Sequence, residues 1–443
     1  MSVESVLWFG DVLPNDWTAT RLKYGLQRTV AGGTPATGND NNWTSQEDGV
    51  AWVSIADMTK APVVITTEKR ISFSAMAEKR LEPLPKGTII YSMYASLGKV
   101  AQLGINAVTN QAILGLIPDS SRMGSSYLSY WLQNFERLLG YYASTNTQDN
   151  LNAEKVRNIP LLIPPLAEQR SIAAYLDEQT AKIDQLMDMR RQQMALLKEQ
   201  RTALIQEAVT RGLNPNVPMK DSGLPWLGEI PAHWKTVPLG YLAILLQTGP
   251  FGSQLHAHEY IDGGIPVINP SHMADGLIQP DPKCTVDEAT AKRLSRHFLQ
   301  LGDVVFARRG ELGRCALVRN EEVNWICGTG SLLMRPEIRT IESQFLVTLF
   351  KLKRLKESLI LQSVGSTMDN LNTGILSRTG LPLPPLCEQN EILIFIDEQR
   401  AKFDTLHDSY TRQLSLLTEY RAALIHECVT GQRSVPEAGR SGY

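Results

Sequence analysis

PPLAEQRSIAAYLDEQTAKID occupies residues 164–184, and PPLCEQNEILIFIDEQRAKFD occupies residues 384–404. The chain writes nearly the same sentence twice. Glu168 and Glu388, Gln169 and Gln389, Asp184 and Asp404, and Arg201 and Arg421 all stand 220 residues apart. No gap is needed across residues 164–210, where about half the positions are identical. A repeat of this kind decides the architecture before any local reading.

The repeated stretch predicts a long helix. Ile172, Leu176, Ile183, Leu186, Met194, Leu197 and Leu204 form one apolar stripe at steps of three and four. In the second copy Ile392, Ile396, Phe403, Leu406, Leu414, Leu417 and Leu424 repeat it. The proline pair before each copy suits an extended lead-in, and Gly212 and Gly431 mark the helix ends. So long an amphipathic helix does not bury its stripe alone. The expected solution is an antiparallel, coiled-coil-like pairing of the two copies, with the halves related by a pseudo-two-fold axis. Glu168-Gln169 and Glu388-Gln389 are expected to start and orient the helices.

The repeat continues into the flanking globules with drifting offsets. LPNDW (13–17) matches IPAHW (230–234), GVAWVSIADM (49–58) matches GIPVINPSHM (264–273), and TQDNLN (147–152) matches TMDNLN (367–372). LPKGTIIYSMYASLGK (84–99) matches LQLGDVVFARRGELGR (299–314). The globules have drifted by insertion and deletion while the helices kept their length, as a ruler would. GDVVFARRGELGRCALV (302–318) reads as strand, glycine turn and strand. Residues 127–142 and 345–362 each read as one helix. The expected fold is two α/β (α+β) globules in pseudo-two-fold repeat, separated by two long helices. The expected divisions are globules over 1–157 and 214–377, helical segments over 158–213 and 378–433, and a tail over 434–443.

Composition is that of an ordinary soluble protein, with 43% hydrophobic and 20% charged residues, and no apolar run is long enough for a membrane span. The N-terminus lacks a secretory signal pattern. Five cysteines without a C-x-x-C fit reduced thiols, so a cytoplasmic location is expected. His256 and His258 read as loop histidines rather than metal ligands. A net charge of −2 hides a cluster of arginines and lysines between Lys292 and Arg319. P-loop, zinc-protease, nucleophile-elbow and amino-methyltransferase motifs are all missing, so the chain offers binding surfaces rather than an active site.

Taken together, GGTP followed by a polar loop and WVSIADM (32–58), KDSGLPWLGEIPAHW (220–234), GDVVFARRGELG, ICGTGSLL (326–333) and the doubled LPPL-x-EQ resemble specificity subunits of type I restriction–modification enzymes over the whole length. The resemblance implies two target-recognition domains, each reading half of a bipartite double-stranded DNA site. It implies a helix pair that sets the gap and docks two modification subunits, which methylate adenine N6. It implies S-adenosylmethionine on those subunits and ATP and magnesium on two restriction subunits, with no cofactor, metal or catalysis in this chain. Phage inhibitors that mimic DNA are a further partner class it admits. Arg308, Arg309 and Arg314 at the second globule's turn are candidates for DNA contact, with Asn269, Ser271 and His272 beside them. In the first globule the candidates are Thr34, Thr37, Asn41, Tyr94 and Lys99. Met93-Tyr94 stand where the second globule has Arg308-Arg309, which points to unlike half-sites. The competing expectation is a scaffold with two protein-binding globules on a helical stalk.

Overall fold

The computed structural model describes residues 14–44, 49–94, 96–136, 139, 151–363 and 371–436. Residues 45–46, 140–142, 147–150, 367–370 and 437–443, which carry parts of the expected loop, helix, repeated motif and tail, lie outside them. The chain forms two compact units, Met1–Arg191 with Thr411–Tyr443, and Gln192–Tyr410.

The repeated sentences form helices Leu166–Arg211 and Leu386–Val429, each starting right after its proline pair. Each unit takes half of each helix. In the first unit Ile172, Leu176 and Ile183 share one core with Leu424, Ile425 and Cys428. In the second, Ile392 and Ile396 share a core with Ala208 and Val209. Arg421 donates to both carboxylate oxygens of Asp184 at 2.9 and 3.3 Å. Arg201 donates to Asp404 at 3.1 Å. These are the same two repeat positions with their helices exchanged, the signature of antiparallel pairing in one register. Both pairs are partly exposed, and such bridges contribute only about 0–1 kcal/mol; they fix register more than they stabilise.

The apolar stripe is not buried evenly. Leu197, Leu204, Phe403 and Leu417 are half-buried. Leu186 and Leu406, expected on the pairing stripe of their respective helices, are 42% and 44% exposed. A seven-residue repeat drifts on a straight 3.6-residue helix, and in the first copy the neighbouring Met187 takes the inward place. The deepest burial lies where the stripe meets a globule core as well as the other helix.

Each unit carries an antiparallel ribbon leading into its long helix: Thr18–Arg21 with Pro160–Ile163, and Lys235–Pro238 with Gly380–Leu383. The first main sheet runs in the order Leu26–Ala31, Ile113–Pro118, Ile89–Ser92, Val100–Leu103 and Val63–Val64. The second runs Ala243–Thr248, Ser331–Pro336, Val304–Ala307 and Cys315–Leu317. A small mixed sheet accompanies each, with a parallel pair in both: Val50–Val53 beside Ala107–Thr109, and Ile265–Ile268 beside Ile326–Cys327. The single helix expected over 345–362 is two, Ser343–Phe350 and Lys353–Ser363. Lys351 and Leu352 N–H groups bond the carbonyls three residues back, which tightens the turn and ends the first helix.

The duplicated Glu-Gln ties each helix to its globule. Gln169 is buried; its Oε1 accepts the Gly124 N–H at 2.8 Å and its Nε2 donates to the Arg122 and Pro164 carbonyls. Gln389 does the same with the Glu342 N–H and the Thr340 and Pro384 carbonyls. Glu168 accepts the Trp17 indole N–H at 2.9 Å, and Glu388 that of Trp234 at 3.0 Å. The orienting role expected of these residues is thus a contact with the globule.

Candidate nucleic-acid interface

The arginine turn joins strands Val304–Ala307 and Cys315–Leu317, with Phe306 opposite Cys315. Its bend relies on Gly313 at φ 78°, and Gly98 repeats this at φ 80° in the first unit. A Cβ on Gly98 would stand 2.1 Å from Leu139, and one on Gly313 2.9 Å from Leu359. The Arg308 main chain is fixed on both sides, its N–H on the Gly330 carbonyl and its carbonyl on the Leu371 N–H, both at 2.9 Å. In the first unit Met93 repeats the frame, bonding Ala112 at 2.7 Å and Leu151 at 3.3 Å.

The side chains on these matched frames differ. Arg308 is half-buried, and burial, then Arg309 beside it, lowers its pKa. Arg309 is exposed. Met93 is buried and Tyr94 is 38% exposed. Arg314 is engaged: Nε and Nη2 donate to Glu311 at 3.1 and 2.7 Å, and Nη1 to the Pro270 carbonyl at 3.3 Å. Lys356 and Arg314 together hold the Glu311 carboxyl below its usual range. Lys99, the counterpart of Arg314, bonds Glu136 at 2.7 Å. The basic cluster read from sequence is therefore partly neutralised in place.

Glycine lets two loops meet in each unit. A Cβ on Gly32 would lie 2.0 Å from the Asn110 carbonyl oxygen, and one on Gly249 1.9 Å from that of Gly328. Thr34 follows the first of these glycines and bonds Gln111. Thr37 and Asn41 are exposed.

Asn269, Ser271 and His272 belong to one short 3-10 turn, but only Ser271 is exposed. His272 is 7% exposed; its Nδ1 meets the Asn269 N–H at 3.2 Å and lies 3.1 Å from the Val267 carbonyl. It occupies the place that Asp57 takes in the first unit, where Ser54 and Asp57 form a capping box. His272 is therefore buried and holds the turn, unlike the exposed Ser271 beside it. Asn269 Nδ2 donates to Cys284 Sγ at 3.2 Å. Arg314, through Pro270, joins this turn to the arginine turn.

Sequence reasoning missed a second feature of the first unit. Trp43 packs edge-on against Trp52, with ring centroids 5.1 Å apart and planes at 86°. Lys69 Nζ stands 5.1 Å from the centre of the Trp43 ring. Thr37, Trp43, Thr44, Glu68, Lys69 and Arg70 line a shallow hollow of about 350 Å³. The clue was present, since Trp43 and Tyr260 sit at the same 217-residue offset as Gly32 and Gly249. His256 and His258 stack at 5.5 Å. No group of three or more potential metal ligands gathers among the described residues, and no helix among them is long and apolar enough to cross a membrane.

The description of one protein family, the type I restriction modification DNA specificity domain, fits residues 31–194 and again 231–412. The chain belongs to that family. A specificity subunit of this kind recognises DNA sequence and is not the catalytic component. The chain is 20% identical over 396 residues to the specificity subunit of the type I restriction enzyme EcoBI of Escherichia coli, covering 88% of this chain and 82% of that one. To the MjaIX specificity subunit of Methanocaldococcus jannaschii it is 21% identical over 433 residues, covering 96% and 95%. Its fold resembles the HsdS subunit from Thermoanaerobacter tengcongensis, with a TM-score of 0.58 at 16% identity, covering 96% and 99%. A chain from a study of complex assembly and conformational transition in the type I R-M system gives a TM-score of 0.69, also at 16% identity, covering 96% and 100%.

Proposed function

We propose that this specificity subunit reads a bipartite, asymmetric duplex site, one half with each unit, and directs adenine-N6 methylation by two modification subunits. The observation that carries this reading is the matched frame with unlike side chains: Met93 and Tyr94 on one, Arg308 and Arg309 on the other. S-adenosylmethionine then belongs to the modification subunits, and ATP and magnesium to restriction subunits. Phage DNA mimics would compete for the same surfaces. Two copies of one partner are supported by the helices, where each unit exposes one leucine from each copy: Leu186 and Leu416 in the first, Leu196 and Leu406 in the second. A cytoplasmic location follows from this role.

The test is a methylome. With Arg308 and Arg309 both changed to alanine, one base pair in one half-site should relax by ~1–3 kcal/mol, as the loss of a bidentate guanine contact does. Equal weakening on all sequences would instead assign the turn to phosphate.

The ruler expectation has its own test. Four residues inserted after Arg191 together with four after Tyr410 leave both Asp–Arg registers intact. They add ~6 Å of helix, against ~3.4 Å per base pair of B-DNA. The methylated spacer should lengthen by about one or two base pairs with both half-sequences unchanged. A folded variant that keeps the original spacer removes the helices as the ruler.

A further inference from the structure

Two matched positions in the small sheets place an aromatic ring against a residue whose chemistry has changed. Trp43 and Tyr260 correspond, as do Lys69 and Cys284, the latter at the 215-residue offset that relates Gly49 to Gly264. The strands at these positions pair alike, Ile71 opposite Val50 and Arg70 opposite Ala51 in the first unit, Val286 opposite Ile265 and Thr285 opposite Pro266 in the second. The residue after Lys69 or Cys284 reaches the glycine at the start of the facing strand. Arg70 bonds the Gly49 carbonyl, and Thr285 Oγ1 accepts the Gly264 N–H at 2.8 Å. The backbone frame is thus shared. In the second unit the aromatic hydroxyl of Tyr260 joins Cys284 and Asn269 in a partly buried network. In the first, a cation stands over the ring and is exposed.

We infer that Lys69 is a specificity-determining residue of the first unit and that it reads a guanine. The inference rests on the DNA-reading role proposed above. The first unit lacks the turn arginines, and Lys99 is committed to Glu136. Its half-site therefore needs a different donor. An ammonium only donates. In the major groove the guanine edge offers two acceptors, N7 and O6, whereas adenine sets an amino donor beside its single acceptor. The Lys69 ammonium is held over the Trp43 face, and Trp43 is steadied edge-on by Trp52, whose indole N–H donates to the Gly33 carbonyl at 2.9 Å. Less side-chain freedom remains to be lost on binding. Thr37, on the rim of the same hollow, provides a donor–acceptor hydroxyl for the neighbouring base edge, while Glu68 is held by Lys60.

The test uses the full chain with its modification partner and sequences the methylated sites of Lys69→Ala and Lys69→Gln. Alanine should relax one guanine position by roughly 5- to 150-fold, in the half-site left untouched by the Arg308/Arg309 change. Glutamine, which pairs with adenine N6 and N7, should shift that position toward adenine. An unchanged site overturns the inference. So does uniform weakening on every sequence with a shallower salt dependence, which would make Lys69 a phosphate contact. Unaltered reading of the other half-site certifies that the variants fold. Absence of any sequence-specific methylation by the wild-type complex would instead sink the proposed function itself.

Discussion

Gln389→Ala is expected to destabilise the second unit by about 3–5 kcal/mol. Gln389 is fully buried and serves three main-chain groups at once: the Glu342 N–H and the Thr340 and Pro384 carbonyls. Each group left buried without a partner costs about 1–3 kcal/mol, less whatever water recovers. Urea unfolding followed through Trp234, which is buried beside Glu388, reads the loss locally. Gln389→Glu should be no milder. It keeps the acceptor for Glu342 but sets a carboxylate oxygen against two carbonyls. Gln169→Ala should do the same to the first unit. A loss under about 1 kcal/mol would mean that water fills the site, and the duplicated glutamine would then need another explanation.

Asp303→Ala should cost a similar amount, about 3–5 kcal/mol, for a different reason. Asp303 is 1% exposed, accepts from Arg335 at 2.9 Å through both oxygens, and accepts the Gln300 N–H at 2.8 Å. Removing it strands a guanidinium that is three-quarters buried. The first unit supplies the rescue. At the matching positions it carries Thr88 and Ile117, both buried and neutral. Asp303→Thr combined with Arg335→Ile should therefore recover most of the loss, since a neutral pair avoids desolvating two charges. If the double variant is as unstable as Asp303→Ala in thermal unfolding, the two frames are less alike than their hydrogen bonds indicate.

The repeat made the helices and their direction legible, because Asp184, Arg201, Asp404 and Arg421 recur without a gap. It also placed the arginine turn, where glycine and strand patterns agree. Exposure along the helices was less legible. Leu186 and Leu406 fit the stripe by spacing, yet spacing does not reveal where a globule core stops covering it. His272 looked like a reader because histidine is polar and lies in a loop. The aligned repeat sets it opposite Asp57, but that both are buried and cap a turn shows only in the structure. Lys69 escaped because its meaning comes from Trp43, more than twenty residues away, and from Cys284 in the other half. Charge clustering failed for Arg314, whose partner Glu311 lies within the same turn and also takes Lys356 from the helix Lys353–Ser363.

The first unit is built from two distant stretches of chain, while the second is one continuous stretch. That division has a consequence for birth on the ribosome. The first core requires Leu424, Ile425, Cys428 and Val429 from the last helix. Synthesis at ~5–20 residues per second leaves it waiting roughly ten to fifty seconds after Arg191 has been made, with Ile172, Leu176 and Tyr127 lacking their final cover. The second unit meets no such delay, so the half that is translated later is the half that can finish folding first.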